Sequence, residues 1–292
     1  MKIKYLIPVL AVVFAACSNN NEISDAYGNF EVDDVIISAE ANGKLLLFTV
    51  EEGKKLPADQ LVGIIDTTNF VLKTKQLQAQ KKAISSRIEN IRSQIDVQQQ
   101  QKKNILIDKE RIEKLLKDGA ATQKQLDDIN GKIDLIDMQI ESIKTQNESV
   151  TAELEVVNTQ ISQIDESIKK CKIINPVEGV VLEKYAEANE ITAFGKPLYK
   201  IADIDEMILR IYVSGLQLPH IKIGQEVEVL IDDTDKTNRT LSGTISWISE
   251  SAEFTPKIIQ TKEERVNMVY AVKVRVKNDG SLKIGMPGEV NF

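Results

Sequence analysis

Few side chains in this sequence could do covalent chemistry. Its 292 residues hold one histidine and two cysteines. His220 sits in "QLPHIKIG" beside Pro219, and a single imidazole cannot form a paired metal site. Cys171 ends a long helical pattern, where a thiol behaves as a small buried hydrophobe. No Ser-centred elbow and no Gly-rich phosphate loop is present. The carboxylates recur at the spacing of solvated helix faces. Catalysis needs acids, bases or metal ligands gathered in one pocket. The sequence therefore predicts no enzyme, with no catalytic residue, no cofactor-binding residue and no metal ligand. What remains is Cys17, at the end of an apolar leader, and a turn between two long helical patterns, flanked by Arg111, Leu115 and Thr122.

Cys17 closes the segment "MKIKYLIPVLAVVFAAC". Lys2 and Lys4 give a short positive region, Leu6 to Phe14 an apolar one, and Ala15-Ala16-Cys17 a small-residue cleavage site. The small-small-Cys ending resembles a bacterial lipobox, which implies cleavage before Cys17 and a diacylglyceryl group on its thiol. Phe14 stands where such motifs usually carry Leu. "SNNNEISDAYGN" then reads as a polar tether. After residue 17 no apolar run approaches the roughly 20 residues that a membrane span requires.

The trio Arg111, Leu115 and Thr122 flanks the turn "DGAAT" between two long helical patterns. Breakers are almost absent from Asn69 to Ile174, where only Gly119 and Gly131 occur. In the second arm, steps of three and four run from Leu126 to Cys171, and thirteen of fourteen places are apolar, Asn147 excepted. In the first arm the same steps run from Ile84 to Leu116, with seven of ten apolar; Gln98, Lys102 and Lys109 interrupt. A sustained period of 3.5 predicts a left-handed coiled-coil seam. The flanking Gln, Lys, Glu, Asp and Ser assign everything off the seam to water. Each arm has about 48 residues, so the hairpin is on the order of 70 Å long. Polar seam places could fix the register or mark a wet spot where the arms splay.

The segments at the root of the hairpin are alike. Val35 to Asp66 and Ile173 to Asp205 each read strand, Gly, apolar stretch, Glu-rich turn, strand. Two halves too small to bury a core alone can pack as a flattened sandwich. From Glu206 on, the period changes to two, and five or six strands predict a small β-barrel. The fold class is α+β and elongated: an antiparallel coiled-coil hairpin inserted in a split, lipoyl-like β-sandwich, followed by a small β-barrel. The expected parts are a signal peptide (1–17), a tether with an N-terminal strand (18–34), half-sandwich one (35–68), the hairpin (69–172), half-sandwich two (173–205) and the barrel (206–292). Net charge is −7, and no basic run exceeds Lys54-Lys55 or Lys102-Lys103. That excludes nucleic acid, which needs a basic face.

This order of parts resembles the HlyD family of periplasmic adaptors, also called membrane fusion proteins, over nearly the whole chain after the tether. The local matches are "INPVEGVV" at Ile174–Val181, "FTPKIIQTKEERVNMVYAVKVRV" at Phe254–Val276 and "LKIGMPGEV" at Leu282–Val290. The last two are similar to adaptors paired with ABC-type exporters. Family members that dock on TolC-like outer-membrane channels carry Arg, then Leu four on, then Ser seven further on. Arg111, Leu115 and Thr122 keep that spacing, with Thr in place of Ser.

The resemblance implies an adaptor in the periplasm, held by its N-terminal lipid, with the inner membrane favoured. Its implied partners are an inner-membrane ABC-type permease and ATPase, a TolC-like channel and its own copies, six in a ring. The sequence runs to Phe292, after "GMPGEV", so contact with the inner-membrane partner is expected from the barrel or from a minimal version of the membrane-proximal β-domain of pump-type adaptors. The sandwich also resembles biotinyl and lipoyl carriers, but no Met-Lys-Met or Asp-Lys-Ala hairpin is present. A rival of another class is a structural coiled-coil lipoprotein that spaces membrane and cell wall. A spacer needs neither sandwich nor barrel.

Overall fold

The computed structural model describes residues 24–234, 237–254 and 268–292. Cys17 and most of the stretch Phe254–Met268 lie outside the described residues. In chain order the elements are β1 (Ala26–Glu31), β2 (Asp34–Ser38), β3 (Gly43–Phe48), β4 (Lys55–Leu56), β5 (Leu61–Ile65), α1 (Thr68–Lys117) and α2 (Gln123–Lys170). Then follow β6 (Lys172–Ile174), β7 (Gly179–Lys184), β8 (Ile191–Thr192), β9 (Pro197–Ala202) and β10 (Glu206–Ser214). The last are β11 (Glu226–Thr234), β12 (Thr237–Ile248), β13 (Glu253–Phe254), β14 (Met268–Lys277) and β15 (Pro287–Asn291). They form one seven-stranded sheet and two four-stranded sheets, the latter in the orders β2-β9-β7-β4 and β6-β5-β3-β8. Each four-stranded sheet draws strands from both sides of the hairpin.

The chain divides into two compact units. One comprises residues 24–35, Glu178–Leu182 and Ile201–Phe292. Its strands run β10-β1-β15-β11-β12-β14-β13, and β10 also pairs with β14, which closes six of them into a barrel. Alternating residues such as Phe30, Leu209, Ile211, Val229, Ile245 and Val274 fill its core. Residues 26–29 were expected within the polar tether and residues 30–31 in a short strand after it. They form a stave of the barrel instead, between β10 and β15. The barrel needs this stave because open edges leave unpaired backbone groups. Gly28 permits the approach: a Cβ there would lie 1.9 Å from the Arg210 carbonyl oxygen.

The other unit comprises Ile36–Val177 and Glu183–Lys200. Its two half-sandwiches are stitched through Asn175, which is fully buried. The Asn175 amide donates to the carbonyls of Pro57 and Val177, both at 2.7 Å, and its oxygen accepts from the Tyr199 hydroxyl at 3.1 Å. Its backbone N–H donates to Gln60, and its carbonyl accepts from Asp59. Burial pushes the Tyr199 phenol up to about 12, so the hydroxyl keeps its proton and remains the donor.

The hairpin leaves this unit from β5 and returns into β6, two paired antiparallel strands. Asp66 accepts from the Thr68 N–H and hydroxyl at 2.8 and 2.6 Å, which fixes the first turn of α1 and holds its carboxyl below the usual range. The Ile65 N–H donates to the Cys171 carbonyl, so the helix ends are clamped together.

Every seam residue named from the sequence is buried or half-buried. Ile88, Ile91 and Val150 form its driest layer, packed by Ile84, Ile143 and Leu154. Burying one such side chain contributes about 1.5–3 kcal/mol. Arg87 reaches Glu153 at 3.3 Å and Lys102 reaches Asp137 at 2.5 Å. These half-exposed pairs contribute at most about 1 kcal/mol each, but they report the register. A residue of α1 stands level with the α2 residue whose number completes a total of about 240. Lys102 thus sends its stem along the seam and its charge outward. Gln98 and Asn147 differ: Oε1 of one and Oδ1 of the other are buried without a protein partner.

Two outcomes follow from this packing. A buried, unpaired polar atom costs about 1–3 kcal/mol. Asn147→Leu is therefore expected to raise the melting midpoint of the helical circular dichroism signal; an unchanged or lower midpoint would show that the oxygen is satisfied. Overpacking costs about 1–3 kcal/mol, and Gly28→Ala is expected to cost at least that much. The only tryptophan, Trp247, lies in β12 of the barrel. Denaturant titrations followed by its fluorescence should shift to lower midpoints, and an unmoved curve would contradict the role given to β1.

Candidate functional site: the hairpin tip

The turn that reverses the chain is built from local chemistry. Asp118 ends α1, and Gly119 follows at φ 73°. The Gly119 N–H donates to the Leu116 carbonyl at 3.1 Å, and the Ala120 N–H to the Leu115 carbonyl at 2.8 Å. This pair of bonds is a Schellman motif, which satisfies carbonyls the helix would otherwise leave open and requires a left-handed residue after the cap. Lys114 and Lys117 in the last turn favour the negative end of the helix.

Thr122 is the N-cap of α2, with extended backbone at φ −109° and ψ 154°. The Gln125 side-chain oxygen accepts from the Thr122 N–H at 2.8 Å and from its hydroxyl at 3.1 Å. That bond commits the hydroxyl proton within the chain, and the Thr122 side chain and Gln125 together form a capping box. Arg111 and Leu115 are four apart on α1 and share one face. Arg111 is exposed and pairs with Asp108, at 3.3 Å with both side chains more than half open. Its guanidinium keeps donors for another partner. Leu115 is 39% exposed while its neighbours Ile112 and Leu116 turn into the seam. All three side chains are exposed, Arg111 and Leu115 in the last turns of α1 and Thr122 at the start of α2.

The remaining candidates lie elsewhere. His220 is exposed at the end of a single 3-10 turn, Leu218–His220. Cys171 is buried, its thiol bonded to the Ser167 carbonyl. Burial first, and then the Asp66 charge, push the thiol up, so it is no nucleophile. Among the described residues, no group of three or more His, Cys, Asp or Glu could hold a metal ion. No described helix is long and apolar enough to cross a membrane. One feature of the hairpin escaped the sequence reading. Val97, Leu135 and Met138, all off the seam, are 65%, 56% and 71% exposed.

No protein-family profile matches the chain. A UPF0194 membrane protein of Yersinia enterocolitica is 25% identical over 316 residues, 98% of this chain and 96% of its own length. The crystal structure of MacA from Actinobacillus actinomycetemcomitans superposes with a TM-score of 0.64 at 18% identity, over 92% of this chain and 78% of that one. The periplasmic adaptor protein EmrA superposes at 0.50 and 14% identity, over 92% and 97%. Hairpin, interleaved sandwich and closed barrel recur in that architecture, so the chain has the fold of the HlyD-type periplasmic adaptors, the membrane fusion proteins.

Proposed function

We propose that this chain is the adaptor subunit of a tripartite export or efflux system. It links an inner-membrane ABC-type transporter to a TolC-like outer-membrane channel. The observation that carries this reading is the exposed trio Arg111, Leu115 and Thr122 at the end of a coiled coil whose arms hold 50 and 48 residues. A coiled coil uses few buried residues per ångström of length, so it suits an arm that must hold a docking tip far from its base. The guanidinium would bind carbonyls or carboxylates of the channel, Leu115 would fill a groove, and the Thr122 oxygen would accept a hydrogen bond.

In this reading the diacylglyceryl group on Cys17 holds the protein to the periplasmic face of the inner membrane. Six copies side by side enclose a conduit, and the partner ATPase supplies the energy. The protein itself catalyses nothing. No carrier lysine is involved, because β5 runs through Asp66 straight into α1 where a carrier would present its hairpin.

The test places a photoreactive residue at Gln123 in intact cells, with captured partners identified by mass spectrometry. The expected product is an outer-membrane channel protein, and Arg111→Asp should reduce its yield about tenfold or more, as for a charge-assisted contact. Capture of cell-wall components alone would favour the spacer reading and remove the docking role. Capture of nothing but further copies of the chain would also remove it.

A further inference from the structure

The antiparallel registers of the barrel put the start of β1, the end of β10 and the start of β14 at one end. The start of β11 and the end of β15 lie there too. At that end stands Ser24, separated from Cys17 by only the six residues 18–23. The same end carries large apolar side chains that the chain does not cover. Leu216 is 87% exposed, Ile223 67%, Phe254 76% and Met268 54%. Leu216 and Met268 line one open hollow, and Met268 pairs with Phe254 across β14 and β13.

The loop that presents Leu216 and Ile223, residues 215–225, is pinned by its own bonds. The Gln217 side chain accepts from the Ser214 N–H and hydroxyl, both at 2.9 Å, and donates to the Asp25 carbonyl at 2.7 Å. A single 3-10 turn follows, Leu218–His220. The Gly224 N–H then donates to the Ile245 carbonyl at 2.8 Å. In this frame Ile221 is buried in the barrel core and Leu218 packs against that core, while Leu216 and Ile223 stay outside. Scattered exposed apolar residues are ordinary. A group of them held at one fixed end marks a contact surface.

Two observations say what covers it. The first is reach. Seven residue steps separate Cys17 from Ser24, so a fully extended tether spans at most about 25 Å, and a relaxed one about 15 Å. A lipid on Cys17 therefore keeps this end of the barrel beside the bilayer, where a few apolar side chains suffice because the contact is effectively intramolecular. The second is charge. Residues 215–225 contain no carboxylate in a chain of net charge −7, and their ionisable groups, His220 and Lys222, are exposed. Anionic headgroups meet a cation at this loop instead of like charge.

We propose that this end of the barrel rests on the bilayer that holds the Cys17 lipid, with Leu216, Ile223 and Met268 immersed where headgroups meet acyl chains. The proposal rests on the reading of Cys17 as the lipid-bearing residue. A lipid alone leaves the protein free to swivel on its tether. A second footing on the same membrane fixes the orientation of the barrel.

The test uses the full-length protein, purified from membranes and placed in transporter-free vesicles of phosphatidylethanolamine and phosphatidylglycerol. The only tryptophan is removed as Trp247→Phe, and a reporter is introduced as Leu216→Trp or, in a second protein, Ile223→Trp. Lipids brominated high in the acyl chain should quench either reporter more than about twofold, because interfacial side chains enter roughly 5–10 Å into that boundary. Lys283→Trp, in the loop between β14 and β15 at the opposite end of the barrel, should be unaffected. Equal quenching at all three positions would overturn the proposal. So would reporters at Leu216 and Ile223 that are shielded only when an inner-membrane transporter is added, which would give the surface to that protein. Mass spectrometry of the same sample reads the acyl group on Cys17 directly. If that group is absent, the chain from Cys17 on is coupled through this thiol to a maleimide lipid, Cys171 being buried, and the measurement is repeated. Quenching would then support the contact and remove the lipid reading alone, whereas no quenching would overturn both.

Discussion

One strip of isoleucine, leucine and valine holds the hairpin together. The two arms are otherwise polar for their whole length, and single polar helices of this kind have no stability in water beyond their intrinsic propensity. The seam makes them one object. It also fixes the register, and the register decides what stands at the tip and what stands on each edge. A slip of one heptad would move the Gly119 turn and uncouple Arg111 from Thr122. The crossing ion pairs Arg87–Glu153 and Lys102–Asp137 follow the register rather than impose it, since both are half exposed.

The root converts that arm into part of a folded body. β5 and β6 pair directly below the helices, and the Ile65–Cys171 hydrogen bond closes the loop at its base. Asn175 then joins the half before the hairpin to the half after it. An insertion of about a hundred residues between two halves of a small sandwich carries a modest entropic cost when its own ends are held side by side, because closure cost grows only with the logarithm of loop length. The coiled coil supplies that pairing itself.

Much of this was legible in the sequence. The seam could be counted residue by residue, because a period of 3.5 over so many turns has no other reading. Gly119 and Thr122 announced the turn through their conformational preferences. The placement of β1 was not legible. Its partners are about 180 and 260 residues away in the chain, and a six-residue strand beside a polar tether carries no local sign of which sheet it joins. The exposed apolar side chains Val97, Leu135 and Met138 were missed for a different reason. They stand off the seam among polar residues, where the 3.5 period assigns every place to water. Arg111, Leu115 and Thr122 were visible as residues, and the fold adds that all three are exposed near the turn.

In the proposed function the hairpin is an arm of fixed reach joining the machinery of two membranes. The direct measurement is the set of proteins co-isolated with the chain from gently crosslinked envelopes, for the intact protein and for one lacking residues 99–105 and 135–141. That paired deletion removes one heptad from each arm, keeps the seam in phase and shortens the reach by about 10 Å. The account predicts that the intact chain brings down an inner-membrane transporter and an outer-membrane channel, while the shortened chain keeps the transporter and loses the channel. Equal recovery of the channel by the shortened chain, or the absence of either partner from the intact one, would contradict it.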